Sequence, residues 1–400
     1  HYGHLYHLKK SKEISNSDAI VCIMNGNFTQ RGLAALTDKW SRTEMAIKSG
    51  VDLVIELPLV FGIRSAQYFS EAAVNLLAKT GVIDDFVFGS ESGEIRILKK
   101  IADFLVKEPE KFKKILENNL KKGNSYPLSR QIALEEFFSD KKIINQIKNP
   151  NNILGIEYIK AVIKNELPLK AKTIKRTDNN YHSLNINAQF ASATSIRNLI
   201  YKGKLSSTEE LMPKSSYEIL KREIENEKLP ISFEKLALLI INKIRNSNNK
   251  EIAEYEEINN GLENRFINAA LKSGTYNELL NNINTKSLTK TRIQRNLLHI
   301  LFDLKANNFI EIDKNGPSYL RVLGFNSKGE KVLKKISNNS SIPIITKLSK
   351  YIKNINTDSS DPIKQQLSYE IKADDIYSLL YKNPAYREGR QDFYKEIIRL

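Results

Sequence analysis

The first half of the chain alternates short apolar runs with longer amphipathic stretches. The runs are rich in β-branched and aromatic residues, which is typical of buried strands, and the stretches repeat apolar residues at helical spacing. We therefore predict strands at residues 19–24, 51–58, 83–90 and 169–176, and helices at residues 38–49, 66–79, 94–122 and 151–165. Strand, helix and strand in this order predict parallel pairing through right-handed crossovers, the doubly wound α/β class. Ligands in this class bind at the carboxyl ends of the strands.

The second half has a different pattern. After about residue 204 the strand rhythm mostly stops, and helical patterns rich in Lys, Arg, Asn and Glu follow at residues 233–246, 261–272, 288–305 and 327–336. Residues 319–326 predict a short strand or turn, and Met212-Pro213 indicates a helix start. We therefore expect a Rossmann-like parallel-sheet domain at residues 1–205 and a mostly helical, basic domain at residues 206–400, with the boundary between 205 and 230.

Charge adds a class of partner to this picture. Sixty-two Lys and Arg against 46 Asp and Glu leave a net charge of +16. This excess favours a polyanionic partner, because each neutralised phosphate releases counterions; a basic proteome rich in Lys, Asn and Ile is the alternative. Cys22 is the only cysteine, so the sequence excludes an internal disulfide and a cysteine cluster for zinc. No apolar run approaches the roughly 20 residues that span a bilayer, and we expect a cytoplasmic protein.

The candidate chemistry begins at the first residue. HYGH at residues 1–4 supplies two histidines with Gly3 between them, just before a helical pattern. A helix start presents unpaired N–H groups that bind anions, and glycine lets a phosphate approach the backbone. His1 and His4 can donate hydrogen bonds to phosphate oxygens as charge builds in a transition state, and His7 can share that face. The alternatives are a metal pair, for which no third ligand stands nearby, and plain helix capping.

A second phosphate-binding pattern lies far downstream. SATSIR at residues 192–197 opens another helix, and its hydroxyl side chains, its helix N–H groups and Arg197 again suit a phosphate. An early HxGH and a late Ser/Thr-rich helix start followed by Arg form the paired signature of the adenylyl-transferring superfamily, in which both bind one triphosphate. We therefore predict an ATP site with His1 and His4 as catalytic residues, and no metal site. The chain opens at His1 inside this motif and without Met, so we also expect a short strand before it.

Longer blocks carry a resemblance that covers nearly the whole chain. They are NGNFTQRG (25–32), LTDKWSRTEMAIKSGVDLVIELP (36–58), FGSESG (88–93), NNILGIEYIKA (151–161), IKR (174–176), FASATSIR (190–197), RIQRNLLHILF (292–302) and YLRVLGFNSKG (319–329). These blocks resemble the bacterial tRNA(Met) cytidine acetate ligase family. The resemblance implies an ATP-dependent ligase that forms N4-acetylcytidine at the wobble position of elongator tRNA(Met), by way of acetyl-adenylate.

The resemblance also implies which residues form the site. The first ATP-binding stretch comprises His1, Tyr2, Gly3, His4, Leu5, Tyr6 and His7, and further ATP contacts are implied for Gly89, Asn151, Arg176, Ser195 and Arg197. Lys39 and Arg42 share a helix face and are candidates for phosphate or tRNA contacts. ATP is implied as a substrate, with Mg²⁺, acetate and elongator tRNA(Met) as the other partners.

Simpler interpretations stay open for several of these residues. Gly89 can make a tight turn at a strand end, and Asn151 can cap a helix after a proline. Arg176, Lys39 and Arg42 can be ordinary solvated charges.

Two other functions also stay open on the sequence. One is a small-molecule adenylyltransferase, of the kind that acts on phosphopantetheine or nicotinamide mononucleotide, which leaves the basic helical half unexplained. The other is a non-enzymatic tRNA-binding protein that retains a nucleotide fold. The chain departs from the family pattern at Leu33-Ala34, where a more polar Glu-Pro pair is expected.

Overall fold

The structure, a computed structural model, describes residues 1–138, 140–176, 191–258 and 261–400. The helices of the first half are α1 (Tyr2–Ser15), α2 (Lys39–Lys48), α3 (Leu59–Gly62), α4 (Ala66–Lys79), α5 (Ile95–Lys107), α6 (Glu110–Lys121), α7 (Tyr126–Glu135), α8 (Lys141–Gln146), α9 (Pro150–Lys164) and α10 (Ala193–Tyr201). Those of the second half are α11 (Lys214–Glu225), α12 (Phe233–Arg245), α13 (Asn249–Ala253), α14 (Leu262–Lys272), α15 (Tyr276–Ile283), α16 (Lys290–Phe302), α17 (Ala306–Asn315), α18 (Ser327–Asn339), α19 (Pro362–Ser378) and α20 (Gln391–Tyr394). The strands are β1 (Val21–Asn25), β2 (Leu53–Leu57), β3 (Asp85–Ser90), β4 (Lys170–Lys175), β5 (Leu320–Phe325), β6 (Ile344–Ile345) and β7 (Ile398–Arg399), and short 3₁₀ turns lie at Ser206–Leu211, Leu348–Lys350 and Pro384–Tyr386.

The alternation predicted for the first half is confirmed, with one helix split in two. Residues 94–122, predicted as a single helix, form α5 and α6. The break falls at Glu108, which has a positive φ of 38°, and at Pro109, the N-cap of α6. Proline lacks the N–H that a helix interior needs, and it disfavours the helical conformation in the residue before it.

The strands form a mixed sheet and a separate parallel pair among the described residues. β1 pairs with β2 in parallel, β2 pairs with β5 antiparallel, and β5 pairs with both β6 and β7 in parallel. β3 pairs in parallel with β4, from Asp85 opposite Lys170 to Ser90 opposite Lys175. The α/β class with a parallel sheet is therefore confirmed. The second half also contributes β5, β6 and β7 to the mixed sheet, so they form one layer with β1 and β2 of the first half. The domain boundary near residue 205 stays a prediction.

The direction of α1 brings its start to the carboxyl ends of β3 and β4. Lys172 lies in the first half of β4, and its Nζ donates a hydrogen bond at 3.0 Å to the carbonyl of Ile14, near the end of α1. In its first half, His7 lies beside Gly89, near the end of β3. α1 therefore runs antiparallel to both strands, and its N-terminus faces the edge at which ligands bind in this class of fold.

The two largest apolar cores among the described residues hold these elements together. The larger core joins Leu53 and Ile55 of β2 to Val322 of β5 and to Leu297 and Phe302 of α16, so it includes residues from both halves. A second core lies around β3 and the helices α5 and α9. Within the ranges that the structure describes, no helix is both long and apolar enough to cross a bilayer.

Candidate functional site

The first turn of α1 is organised by its own histidines. His1 is the N-cap, and its Nδ1 accepts a hydrogen bond from the Gly3 N–H at 3.1 Å. Its ring stacks on the ring of His4, with centroids 4.1 Å apart. A Cβ at position 3 would lie 2.9 Å from Cε1 of His1, so glycine leaves room for the folded-back ring. Because Nδ1 is an acceptor here, we assign the proton of the neutral His1 ring to Nε2, which can donate to an anion.

His4 and His7 are held in the neutral form. His4 is exposed at the surface, but desolvation by the atoms packed against its ring, together with the positive charges of the chain's amino terminus, His7 and Arg176, lowers its pKa to about 4. Desolvation and Arg176 also lower the pKa of His7. Ser11 Oγ donates to the His7 carbonyl at 2.8 Å and lies 3.4 Å from His7 Nδ1. A neutral imidazole donates one hydrogen bond, and an anion beside it favours uptake of a second proton.

Gly89 and Arg176 come together with His7 at the carboxyl ends of β3 and β4. The Arg176 N–H donates to the Ser90 carbonyl at 2.8 Å, which continues the pairing of the two strands. A Cβ on Gly89 would lie 3.3 Å from Arg176 Cγ and 3.5 Å from His7 Cδ2. Gly89 lies inside β3 and has no positive φ, so the tight-turn interpretation is wrong. Its lack of a side chain instead lets α1 and the end of β4 approach each other.

Asn151 lies next to this group, on the first turn of α9. The helix begins at Pro150 with Asn149 as its N-cap, so the alternative interpretation of Asn151 as only a helix cap is wrong. Asn151 Nδ2 donates to Glu91 Oε1 at 2.7 Å, and Arg176 Nη1 lies 3.5 Å from Asn151 Oδ1. Asn152 is fully buried and accepts hydrogen bonds from the N–H groups of Glu91 and Ser92, so it stabilises the loop after β3.

Ser195 and Arg197 lie at the start of α10. Ser192 is the N-cap, and its Oγ accepts from the Ser195 N–H at 3.1 Å and lies 2.8 Å from Ser195 Oγ. Arg197 Nη2 donates to Thr194 Oγ1 at 3.1 Å. The helix start predicted from SATSIR is therefore confirmed, whereas Phe190, in the same block, lies outside the described residues. That this helix start and the start of α1 bind one triphosphate stays a prediction.

Lys39 is not available for a phosphate or tRNA. Its side chain is 0% exposed, and Nζ lies 2.9 Å from Glu56 Oε2, 2.6 Å from Asp374 Oδ2 and 2.9 Å from Asp392 Oδ2. Burial acts to lower its pKa, but Asp374, Asp392 and Glu56 raise it well above the ordinary value. The predicted contact, and the interpretation as a solvated charge, are both wrong. We call these four residues the Lys39 cluster.

Arg42, one turn further along α2, is bound to the backbone. Its Nε donates to the Thr37 carbonyl at 3.1 Å and its Nη1 donates to the Asn25 carbonyl at 3.0 Å, while Nη2 donates to the Gly26 carbonyl. Burial lowers its pKa. Arg42 therefore holds the loop after β1 against α2, and this structural role replaces the predicted contact with phosphate or tRNA.

Sequence reasoning missed Glu91, which binds the start of α9. The signal was available, because Glu91 directly follows a predicted strand at the edge where ligands bind. It missed the Lys39 cluster as well. There the signal was Glu56, an acidic residue inside the otherwise apolar run LVIEL of β2, since a buried carboxylate needs a positive partner.

Known proteins resemble this chain over its full length. The family described as HIGH Nucleotidyl Transferase matches residues 1–392. A tRNA(Met) cytidine acetate ligase of Halothermothrix orenii is 47% identical, over 100% of this chain and 96% of the relative, and one of Acetivibrio thermocellus is 43% identical over the same shares. The crystal structure of Thermotoga maritima TmcAL bound with alpha-thio ATP is 35% identical, with a TM-score of 0.92 over 100% of this chain and 96% of that one. The apo crystal structure of the same protein gives 34% identity and a TM-score of 0.94, over the same shares of both chains.

Proposed function

We propose a ligase function for this chain, which belongs to the tRNA(Met) cytidine acetate ligase family of the HIGH nucleotidyl transferases. The family predicted from the sequence blocks is thereby confirmed. In the proposed reaction, ATP activates acetate, and the acetyl group is then transferred to N4 of the wobble cytidine of elongator tRNA(Met).

One observation carries the proposal for this chain. His1, His4 and His7 of α1, Gly89 of β3 and Arg176 after β4 lie together at the carboxyl ends of two parallel strands. They combine helix N–H groups, imidazoles and a guanidinium, all of which bind phosphate oxygens. We assign the triphosphate of ATP to this group and propose that Ser195 and Arg197 contact the same triphosphate.

The chemistry needs positioning more than a covalent contribution from the protein. A carboxylate oxygen of acetate attacks the α-phosphorus of ATP, the bond to the β,γ-diphosphate breaks, and acetyl-adenylate and pyrophosphate form. The N4 amine of cytidine then attacks the acetyl carbon, the bond to AMP breaks, and the amine loses a proton. Donors from the first turn of α1 stabilise the charge that develops on the phosphate oxygens in the first step.

Mg²⁺ is part of the proposal as the partner of the triphosphate. Such ions are usually bound by one or two carboxylates together with substrate phosphates. Within the described residues, no group of three or more His, Cys, Asp or Glu side chains is arranged to hold a metal. We expect phosphate oxygens of the bound ATP to be among the ligands of the ion.

A mixing assay tests the proposed function. The purified protein receives ATP, radiolabelled acetate and elongator tRNA(Met), and the expected result is label in the tRNA together with one AMP per acetyl group. A tRNA(Met) transcript with uridine at the wobble position is the control and should stay unlabelled. Adenylation of nicotinamide mononucleotide or phosphopantetheine in place of tRNA labelling would favour the small-molecule alternative, and tRNA binding without AMP formation would favour the non-enzymatic one.

ATP binding is expected to be coupled to proton uptake. His4, with a pKa of about 4, and His7, with a lowered pKa, are neutral near pH 7. A triphosphate beside them stabilises the imidazolium form and raises both pKa values, so the complex holds more protons than the free protein. Affinity should therefore rise as the pH falls from about 8 to about 6. Calorimetry in two buffers of different ionisation enthalpy measures the uptake; His4→Gln should reduce it, and equal uptake in both proteins would contradict the prediction.

Affinity for tRNA is expected to fall steeply with added salt. The chain carries a net charge of +16, and α18 presents exposed lysines such as Lys328, Lys331 and Lys335 to solvent. We expect about a 100-fold loss between about 50 and 200 mM salt, which corresponds to roughly four neutralised phosphates. Filter binding over this range measures it. A salt-independent dissociation constant would show that the basic surface does not bind tRNA.

A further inference from the structure

Glu91 joins the end of β3 to the start of α9 through reciprocal hydrogen bonds. Its Oε1 accepts from the Asn151 backbone N–H at 3.1 Å, and its Oε2 accepts from the Asn152 N–H at 2.8 Å. In return, Asn152 Oδ1 accepts from the Glu91 N–H at 2.9 Å. A carboxylate at a helix start also interacts favourably with the helix dipole. The loop after β3 and the first turn of α9 are thus held as one unit.

The same carboxylate fixes the orientation of the Asn151 amide. Asn151 Nδ2 donates to Glu91 Oε1 at 2.7 Å, and an ionised carboxylate only accepts hydrogen bonds. The amide nitrogen must therefore face Glu91, and the amide oxygen faces Arg176, whose Nη1 lies 3.5 Å from it. Without Glu91 the amide is free to rotate, and its oxygen and nitrogen can exchange places.

We propose that Glu91 is a positioning residue for ATP, which acts through Asn151 and Arg176 and itself stays on the side of Asn151 away from the nucleotide. The inference rests on the proposed ATP site, of which Asn151 and Arg176 are members. Glu91 orients the side-chain oxygen of Asn151 towards the Arg176 guanidinium. This contact holds the guanidinium beside the carboxyl end of β4.

Electrostatics alone predicts the opposite result from positioning. Glu91 carries a negative charge near the proposed triphosphate site, so removing that charge without loss of geometry should strengthen ATP binding. If Glu91 positions Asn151 and Arg176, its removal should weaken ATP binding instead. The sign of the change in affinity therefore separates the two roles.

The test is Glu91→Gln in the full chain, with ATP affinity measured by calorimetry and tRNA affinity by filter binding. In Glu91→Gln, the side-chain NH₂ faces an N–H group that donates to the carboxylate in the wild type, so one hydrogen bond is lost. The loss of one hydrogen bond typically corresponds to about a tenfold change, and we expect ATP to bind about tenfold more weakly. Affinity for tRNA should stay unchanged. Glu94→Gln is the matched control: Glu94 is exposed, lies three residues further on, and makes no capping hydrogen bond, so it should bind ATP like the wild type.

A double-mutant cycle with Asn151→Ala separates positioning from helix capping. Asn151→Ala keeps both backbone N–H groups that donate to Glu91 and loses only the side-chain hydrogen bond, so it should weaken ATP binding with a small loss of thermal stability. In that background, Glu91→Gln should lower the melting temperature but have little further effect on ATP affinity. Additive losses in ATP affinity, or tighter ATP binding by Glu91→Gln alone, would overturn the proposal. A wild-type protein that binds no ATP would overturn the proposed function and this inference together.

Discussion

Lys39→Met is expected to lower the free energy of unfolding by about 3–5 kcal/mol, because it leaves buried carboxylates without their positive partner. Lys39 is 0% exposed and forms ion pairs with Glu56, Asp374 and Asp392 at 2.6 to 2.9 Å. Urea unfolding followed by the fluorescence of Trp40 measures the loss. Trp40 is the only tryptophan of the chain and lies directly beside the cluster, with its ring 5.5 Å from Lys39 Nζ.

The loss should depend on pH with a defined sign. Lys39 lowers the pKa values of Glu56, Asp374 and Asp392 against the effect of burial, so its removal should raise all three, and the folded variant should take up protons and gain stability as the pH falls. The difference from the wild type should therefore shrink from pH 7 to about pH 5. Lys48→Met on the same helix is the control, because Lys48 is 41% exposed and pairs with Glu44 at the surface, and it should cost less than about 1 kcal/mol. Equal urea midpoints for Lys39→Met and Lys48→Met would mean that the cluster contributes no more than a surface pair.

His4→Ala is expected to slow the activation of acetate about 100-fold, the loss found when one donor to a developing oxyanion is removed. His4 stacks on His1 at 4.1 Å between centroids, and its imidazole can donate a hydrogen bond to a phosphate oxygen. Acetate-dependent exchange of pyrophosphate into ATP measures this step without tRNA. Because the contact strengthens in the transition state, kcat should fall more than the affinity for ATP.

Lys9→Ala is the control for this experiment, because Lys9 is an exposed residue on the same helix. This variant should exchange pyrophosphate at the wild-type rate. An exchange rate within a few-fold of the wild type in His4→Ala would remove His4 from the catalytic step. A parallel loss of rate and of ATP affinity would instead assign His4 to binding alone.

Local patterns predicted the first half of the fold because its elements are strongly periodic. Residues 66–79 were predicted as a helix with the bounds that α4 has, and each predicted strand of the first half is present, with both ends within two residues of the prediction. The break between α5 and α6 at Pro109 could have been predicted, because proline disrupts a helix interior, but it was missed. The pairing of β5 with β2 could not be predicted, because pairing between residues more than 260 positions apart leaves no local sequence pattern.

The candidate site was predictable to the extent that its residues lie in short motifs. His1, His4, Gly89, Asn151 and Arg176 were named from motifs and from the family resemblance, and the structure brings these segments together. Glu91 and the Lys39 cluster depend on which segments meet in three dimensions. The sequence predicts Lys39 as a surface charge, whereas the structure shows it as a buried cation. Its three partners come from β2, α19 and α20, which are far apart in the sequence.

The span between Lys39 and Asp392 has a consequence for how the protein is made. The two residues are 353 positions apart, and β7 joins β5 still later in the chain. A ribosome has therefore translated almost the entire message before Glu56 and Lys39 meet all their partners. Until then the nascent chain exposes the apolar edge of β2 to which β5 will pair, and we expect it to rely on chaperones during synthesis and to be cleared by proteases when translation stops early.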